Sequence, residues 1–206
     1  LAVHGGAGTI TVGEADEAPY HDGLRSAVEA GAAVLRSGGT ALDAVVAAVM
    51  ALEDCQLFNA GRGAVFNAAG EHELDAGVMD GATLRAGAVA AVHKLPNPVS
   101  AAREVLLDGR CVVQCGHGAE AFAQSRGLAM VPNSYFSTQE RLAMITNALI
   151  GRGELPAVAQ TKAVGFLNGI VTQQALMLSF EQLFLLFGSA FVLSLPLLLL
   201  LRKSKG

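Results

Sequence analysis

The sequence predicts a mixed α+β fold followed by one membrane-spanning helix. In residues 1–140, short apolar runs typical of strands alternate with segments whose apolar residues recur at helical spacing. Residues 182–201 form a run of 20 residues without a charge, which is long enough to cross the hydrocarbon core of a bilayer. The net charge changes from −8 in residues 1–140 to +4 in residues 141–206, which indicates a junction between two unlike sequences.

The composition excludes several classes of protein. Of the 206 residues, 52% are apolar and 16% are charged, which excludes a disordered chain. The net charge of −4 argues against a general nucleic-acid-binding protein, because such a protein needs a basic face. The three cysteines, Cys55, Cys111 and Cys115, are too few for a disulfide scaffold. We therefore expect them to be small core thiols in a reducing compartment.

The first elements follow from apolar runs and helix-capping signals. Leu1–Val3 is predicted as a short strand that runs into a glycine-rich turn at residues 4–8. A helix is predicted over Pro19–Ser37, because a glycine pair follows it as a stop signal. Thr40 is the expected cap of a second helix, and Asp43 completes an approximate capping box. The core face of that helix is expected at Val45, Val49 and Leu52.

An irregular loop separates these helices from a region richer in strands. Residues 53–63 show no regular period and are predicted as a loop. A hairpin, a strand, a helix capped by Asn97, a second strand and a last helix are then expected. Their bounds are Val65–Ala68 with Glu73–Met79, Gly87–His93, Pro98–Leu107, Arg110–Gln114 and Ala119–Ser125.

Two loops are the main candidates for chemistry. The turn at residues 4–8 lacks the lysine of a phosphate-binding loop, so it is either a strained active-site edge or a purely structural turn. The loop at residues 52–63 is rich in small residues, whose exposed backbone carbonyls could surround a hard monovalent cation. Asn59 in this loop offers both a donor and an acceptor, as an oxyanion-hole side chain would.

Three further patterns favour structural interpretations. Residues 71–75, Glu-His-Glu-Leu-Asp, lack the spacing of a zinc-protease motif, and a solvated strand is the favoured interpretation. Cys111 and Cys115 point to one face of a predicted strand, and we expect them in the core. A catalytic role for His117 is not favoured, because no nucleophile and acid pair accompanies it.

Six motifs occur in an order that resembles one enzyme family. They begin at residues 4, 38, 57, 72, 86 and 97 and read HGGAG, GGTALDAV, LFNAGRGAVF, HELDAGVMDG, AGAVA and NPVSAAR. Over about Leu1 to Leu142 they resemble the plant-type L-asparaginase / isoaspartyl aminopeptidase family. The resemblance implies a partial αββα sandwich of the N-terminal-nucleophile hydrolase type. In that family a threonine freed by self-cleavage attacks the side-chain amide of asparagine or an isoaspartyl peptide bond, with its own α-amine as the base.

The resemblance also implies roles for individual residues. Asn59 would lie on the oxyanion side of the site, and Gly5, Gly6 and Gly8 would form the turn on the substrate side. Apart from a structural sodium ion, no cofactor is implied. The backbone carbonyls that resemble the family's sodium-binding loop belong to Leu52, Glu53, Cys55, Phe58, Ala60 and Arg62.

The matching motifs are those of the family's α-subunit. The Gly-Thr-Val-Gly motif that carries the nucleophile does not occur, and its nearest imitation, at Thr161, lacks the preceding glycine. We therefore expect the chain to be inactive alone. It would act on L-asparagine and isoaspartyl dipeptides only when a β-subunit completes it, as an oligomer, with the front part in the cytoplasm as in the family.

From about Arg141 the sequence resembles the C-terminus of a fourteen-helix major facilitator drug exporter. This resemblance divides the tail into an amphipathic linker at 141–181, a transmembrane helix at 182–201 and a basic end at 202–206. The positive-inside rule places that basic end in the cytoplasm. Two alternative functions follow, namely a fragment of a membrane exporter and a membrane-anchored binding protein without catalysis.

Overall fold

The first two helices of the described chain pack against each other. The structure is a computed structural model that describes residues 1–6, 17–67 and 69–165. Helix α1 is Ala18–Arg36 and helix α2 is Ala41–Asp54. They approach closely because Gly31 has no side chain: a Cβ there would lie 2.7 Å from the carbonyl oxygen of Ala44.

Helix α2 begins at the predicted capping box. The Thr40 Oγ1 accepts a hydrogen bond from the Asp43 N–H at 3.1 Å, which confirms this signal. The predicted core face was wrong at Val45, which is 38% exposed, whereas Val49 and Leu52 are half-buried. The buried positions of this helix are Ala44, Val46, Ala48 and Glu53.

A three-stranded sheet follows, in the order β1-β2-β3. Strands β1 (Leu74–Asp80) and β2 (Arg85–Val92) form an antiparallel hairpin. Helix α3 (Pro98–Asp108) then leads to β3 (Val113–Cys115), which pairs parallel to β2. Helix α3 packs tightly on the sheet at Gly87, where a Cβ would lie 2.3 Å from the carbonyl oxygen of Ala102.

The core lies between this sheet and the helices that follow its strands. Helix α4 is Gly116–Ser125, a 3-10 turn spans Asn133–Phe136, and helix α5 is Gln139–Gly151. Residues 156–165 are also helical. The hydrophobic core cluster of the described residues consists of Ala64, Leu74, Val89, Val92, Leu95, Ala101, Val105, Ala119, Ala123 and Phe136. The mixed α and β architecture that the sequence predicted is therefore confirmed.

The chain divides into two units, Leu1–Ala163 and Val164–Gly206. The predicted division after residue 140 lies inside helix α5. Among the helices in the described ranges, none combines the length and the apolar composition needed to cross a bilayer. The predicted transmembrane helix at 182–201 and the basic end at 202–206 lie outside the described residues.

Several local predictions need correction. Leu1–Val3 is not a strand, because none of the three described strands pairs with it. The expected first hairpin is reduced to a single bridge between Phe66 and His72. Cys111 and Cys115 are exposed rather than buried. Cys115 ends β3, which is an edge strand of the sheet, and Cys111 precedes that strand. Asn97 precedes α3 as predicted, but its side chain makes no capping bond and donates to the Asp54 carboxylate at 3.0 Å.

Candidate active site

The Asn59 side chain is held in one orientation by its own loop. Its Oδ1 accepts a hydrogen bond from the Val65 N–H at 2.9 Å. Because the amide carries its acceptor and its donors on opposite sides, this bond directs Nδ2 away from the loop backbone. Asn59 is exposed, so this N–H₂ group can donate to a molecule outside the chain. That is the property required of an oxyanion donor.

Glycines allow this loop to fold back on itself. Gly61 has a φ of +48°, and a Cβ there would lie 2.3 Å from the Glu53 carbonyl oxygen. A Cβ on Gly63 would lie 2.0 Å from the Phe58 carbonyl oxygen and 2.6 Å from that of Gln56. Only glycine fits at either position, and the close fold brings several backbone carbonyls together.

A buried arginine from helix α5 binds these carbonyls. The Arg141 Nε donates to the Gly63 carbonyl at 2.5 Å, and its Nη2 donates to the Phe58 carbonyl at 3.3 Å. Arg141 is only 6% exposed. Sequence reasoning missed Arg141, because the only signal was one basic residue near the end of the region that resembles the family.

The glycine turn near the N-terminus lies against the same loop. A Cβ on Gly5 would lie 2.6 Å from the Phe58 ring, and one on Gly23 of α1 would lie 2.9 Å from it. Gly6 has a φ of +102°, which favours glycine, and its N–H donates to the His4 Nδ1 at 3.1 Å. The structure thus brings the predicted substrate-side turn next to the Asn59 loop. Gly8 lies outside the described residues.

The carbonyls expected to bind sodium are hard oxygen donors, the type that suits such a cation. Three of them already accept a hydrogen bond: Leu52 from the Cys55 N–H, Ala60 from the Gly63 N–H, and Phe58 from Arg141. A carbonyl oxygen has two lone pairs, so each retains capacity for a cation. The donor set therefore fits sodium in its chemistry. In the described ranges, no group of three or more His, Cys, Asp or Glu side chains could hold a metal ion.

The Glu53 carboxyl group faces away from this loop and caps helix α3. Its Oε1 accepts a hydrogen bond from the Val99 N–H at 3.1 Å, and the residue is 3% exposed. Burial raises the pKa of Glu53 to about 8, although the bonds from Val99 and from the Asn97 side chain act in the opposite direction. Any contact between Glu53 and a cation in the loop would therefore use its backbone carbonyl.

A buried polar cluster at the start of β1 links the loop region to the core. Its centre is His72, which is fully buried, so the prediction of a solvated strand was wrong at this residue. Asn133 connects the residues next to β1 and β2 through its side chain. Its Oδ1 accepts a hydrogen bond from the His72 N–H, and its Nδ2 donates to the carbonyls of His72 and His93. The His72 Nε2 lies 3.2 Å from the Ser137 Oγ. Burial lowers the pKa of His72, and the nearby Arg141 charge acts in the same direction.

Two other residues considered as catalytic candidates show no catalytic arrangement. The Thr161 hydroxyl donates to the Ala157 carbonyl at 2.8 Å, within the helical segment 156–165. The His117 side chain is 91% exposed and contacts only the Glu120 carboxylate among the described ion pairs, at 3.9 Å. Neither residue shares a hydrogen bond or an ion pair with residues 52–63 in the described part of the chain.

Comparison with known proteins identifies the family. The sequence profile of the family described as "Asparaginase" matches residues 1–164. The match includes residues 141–164, which also belong to the predicted exporter-like tail. The chain is 50% identical over 144 residues to the isoaspartyl peptidase of Escherichia coli strain K12, covering 68% of this chain and 45% of that protein.

Two animal relatives match to a similar extent. The isoaspartyl peptidase/L-asparaginase of Xenopus laevis is 44% identical over 139 residues, and that of Homo sapiens is 42% identical over 140 residues. Each match covers 68% of this chain, with 44% and 45% of the respective relative. The chain thus spans less than half the length of the curated relatives it matches. No comparison supports the exporter resemblance of the tail, which stays a prediction. Because the family profile covers most of its length, the chain belongs to the asparaginase family.

Proposed function

We propose that this chain provides the α-subunit-type part of a hydrolase that cleaves the side-chain amide of L-asparagine and isoaspartyl peptide bonds. The observation that carries the proposal is the fixed orientation of Asn59, whose Oδ1 is bound by the Val65 N–H. The names of the relatives, isoaspartyl peptidase and L-asparaginase, support this substrate class. The partial αββα sandwich is part of the same proposal.

The contribution of Asn59 is to stabilise charge. When a nucleophile adds to an amide carbonyl, the carbonyl oxygen becomes an oxyanion before ammonia or the amine leaves. The outward Nδ2 of Asn59 would donate to that oxygen, and the neighbouring turn at Gly5 and Gly6 lets substrate approach the backbone closely. A preorganised donor of this kind contributes about 3–4 kcal/mol to transition-state stabilisation.

We further propose that the nucleophile comes from a β-subunit-type segment and that the chain alone is inactive. The Thr161 hydroxyl is bound within a helix, which is unlike a free N-terminal threonine. Purified chain should release no ammonia from L-asparagine and should not be cleaved before Thr161. A fragment that begins at Thr161, or turnover that Thr161→Ala abolishes, would contradict this part of the proposal.

A structural sodium ion in the Asn59 loop also belongs to the proposal. The supporting observation is the set of backbone carbonyls of residues 52–62, together with a Glu53 carboxyl group committed to helix α3. Sodium chloride should raise the thermal stability of the chain above that in choline chloride at equal ionic strength. Equal stability in the two salts would contradict sodium binding.

The catalytic proposal is tested by adding the part of a relative that this chain does not match. The full chain would be co-expressed with the portion of the Escherichia coli isoaspartyl peptidase that this chain does not match. If the two copurify, the complex should hydrolyse an isoaspartyl dipeptide and release ammonia from L-asparagine, whereas each part alone should not. A copurifying complex without either activity would refute the proposed function. Size-exclusion chromatography of the same material tests whether an oligomer forms. The expected membrane association of residues 182–201 and the expected cytoplasmic location of the front part stay predictions.

A further inference from the structure

Arg141 spans the two ends of the segment that carries Asn59. Its Nε donates to the Gly63 carbonyl and its Nη2 donates to the Phe58 carbonyl. Phe58 immediately precedes Asn59 in the chain, and Gly63 is two residues before Val65. One guanidinium group thereby connects the stretch just before Asn59 to the stretch that supplies its hydrogen-bond partner.

The charge of Arg141 matches what this fold of the backbone needs. The Gly63 backbone lies against the carbonyl oxygens of Phe58 and Gln56, so several negative dipole ends converge. A guanidinium group offers five N–H donors in a fixed plane, and it cannot lose its charge in a protein. Because Arg141 is buried, its donors need acceptors as much as the converging carbonyls need donors.

The Asn59 orientation depends on both ends of this connection. The bond from the Val65 N–H to the Asn59 Oδ1 forms only when the two residues lie at the right separation. We propose that Arg141 is a positioning residue for Asn59, which fixes the direction of the Asn59 amide by binding the Phe58 and Gly63 carbonyls. The consequence for catalysis rests on the proposed function, but the effect on geometry does not.

The Val65 amide reports this geometry directly. Its N–H is bound by the Asn59 side chain, so its hydrogen exchange measures how often that bond opens. The Ala91 amide is a matched internal reference, because its N–H is bound by the side-chain Oδ1 of Asp75 at 2.8 Å, on the β1–β2 hairpin. The ratio of the two exchange rates separates a local change in the loop from a change in global stability.

The experiment measures exchange of single amides in the full chain, by mass spectrometry with electron-transfer fragmentation. Arg141→Met should raise the exchange rate of Val65 relative to Ala91 by about tenfold or more, because bonds from a charged donor are lost. Arg141→Lys should raise the ratio less, since it keeps the charge and one of the donors. Asn59→Ala gives the value for a fully open Val65 amide.

Arg103→Met is the matched control variant. Arg103 is a half-buried arginine that binds the Asp43 carboxylate at 2.7 Å, away from the Asn59 loop, and its loss should leave the ratio unchanged. Unchanged Val65 exchange in both Arg141 variants would overturn the proposal. If Arg141→Met does not fold, Arg141→Lys decides by the same ratio. The exchange measurement needs no turnover, so it tests the positioning role of Arg141 independently of the proposed function. If Val65 exchange rises selectively in the Arg141 variants but the complexes are inactive, only the proposed function is refuted.

Discussion

Replacing Glu53 by glutamine should make the chain more stable at neutral and alkaline pH. The Glu53 carboxyl group is 3% exposed, and its Oε1 accepts the Val99 N–H at the start of helix α3. Its other oxygen, Oε2, has no hydrogen-bond partner among the described residues. Ionising this buried group is costly, so the folded chain keeps it protonated at neutral pH, whereas the unfolded chain ionises it. Glutamine keeps the acceptor and is neutral in both states.

The size of the effect follows from the pKa. Burial raises the pKa of Glu53 from 4.5 to about 8, and the neighbouring Asp54 charge adds to the rise. The folded chain keeps a proton that the unfolded chain releases above about pH 4.5. The contribution of Glu53 to the free energy of unfolding is therefore complete below that pH. It is lost as the pH rises through about 8. The difference between 4.5 and about 8, at about 1.4 kcal/mol for each pKa unit, is on the order of 5 kcal/mol.

Urea denaturation followed by circular dichroism at pH 5, 6, 7 and 8 provides the assay. The free energy of unfolding of Glu53→Gln should exceed that of the wild type by an amount that grows with pH across this range. Glu120→Gln is the matched control, because Glu120 is also buried and accepts a backbone N–H, from His93 at 2.7 Å. A difference between Glu53→Gln and the wild type that stays constant from pH 5 to 8 would refute the reasoning.

Three further predictions concern strain and buried charge. His72 has a lowered pKa, so the unfolded chain takes up a proton near pH 6.5 that the folded chain does not. The stability advantage of the wild type over His72→Gln should therefore shrink from pH 7 to pH 5 in urea denaturation, and a constant advantage would argue against a buried neutral imidazole. Ala91 has a φ of +53°, so Ala91→Gly should be more stable than the control Ala90→Gly by about 1–2 kcal/mol. Equal melting temperatures of those two variants would show that the strain is absent. Gly63→Ala should destabilise the loop because its Cβ would lie 2.0 Å from a backbone carbonyl, whereas nothing lies within 4 Å at the control site, Gly81. Limited proteolysis of both alanine variants checks this, and equal loop cleavage would contradict it.

Local signals in the sequence predicted much of the secondary structure. The capping pair at Thr40 and Asp43 forms as expected, and helix α3 ends at Gly109 with a φ of +69°. Both signals act within a few residues, so they can be read from the chain directly. The loop around Asn59 was also predicted in this way, because its small residues and lack of period depend only on local composition. Its predicted bounds, 53–63, were wrong, because Glu53 and Asp54 belong to helix α2 and Gly61–Gly63 form a 3-10 turn.

Features that depend on contacts distant in sequence could not be predicted. Arg141 binds a carbonyl 78 residues earlier, and Asn133 binds His72 across 61 residues. No local pattern marks either partner. The core face of α2 was misplaced for a related reason: the helix is apolar on most sides, so hydrophobicity alone does not choose between Val45 and Val46.

Turnover of an Asn59 variant tests most directly whether Asn59 stabilises the oxyanion in the proposed asparaginase-type reaction. The measurement compares kcat for an isoaspartyl dipeptide between the wild type and Asn59→Ala, each in complex with the remaining part of the Escherichia coli relative. Asn67→Ala is the control, because the Asn67 Oδ1 also accepts backbone N–H groups but in a separate turn. We expect Asn59→Ala to lower kcat by about 10²- to 10³-fold and Asn67→Ala to retain the wild-type kcat. Equal kcat for wild type and Asn59→Ala would contradict the account.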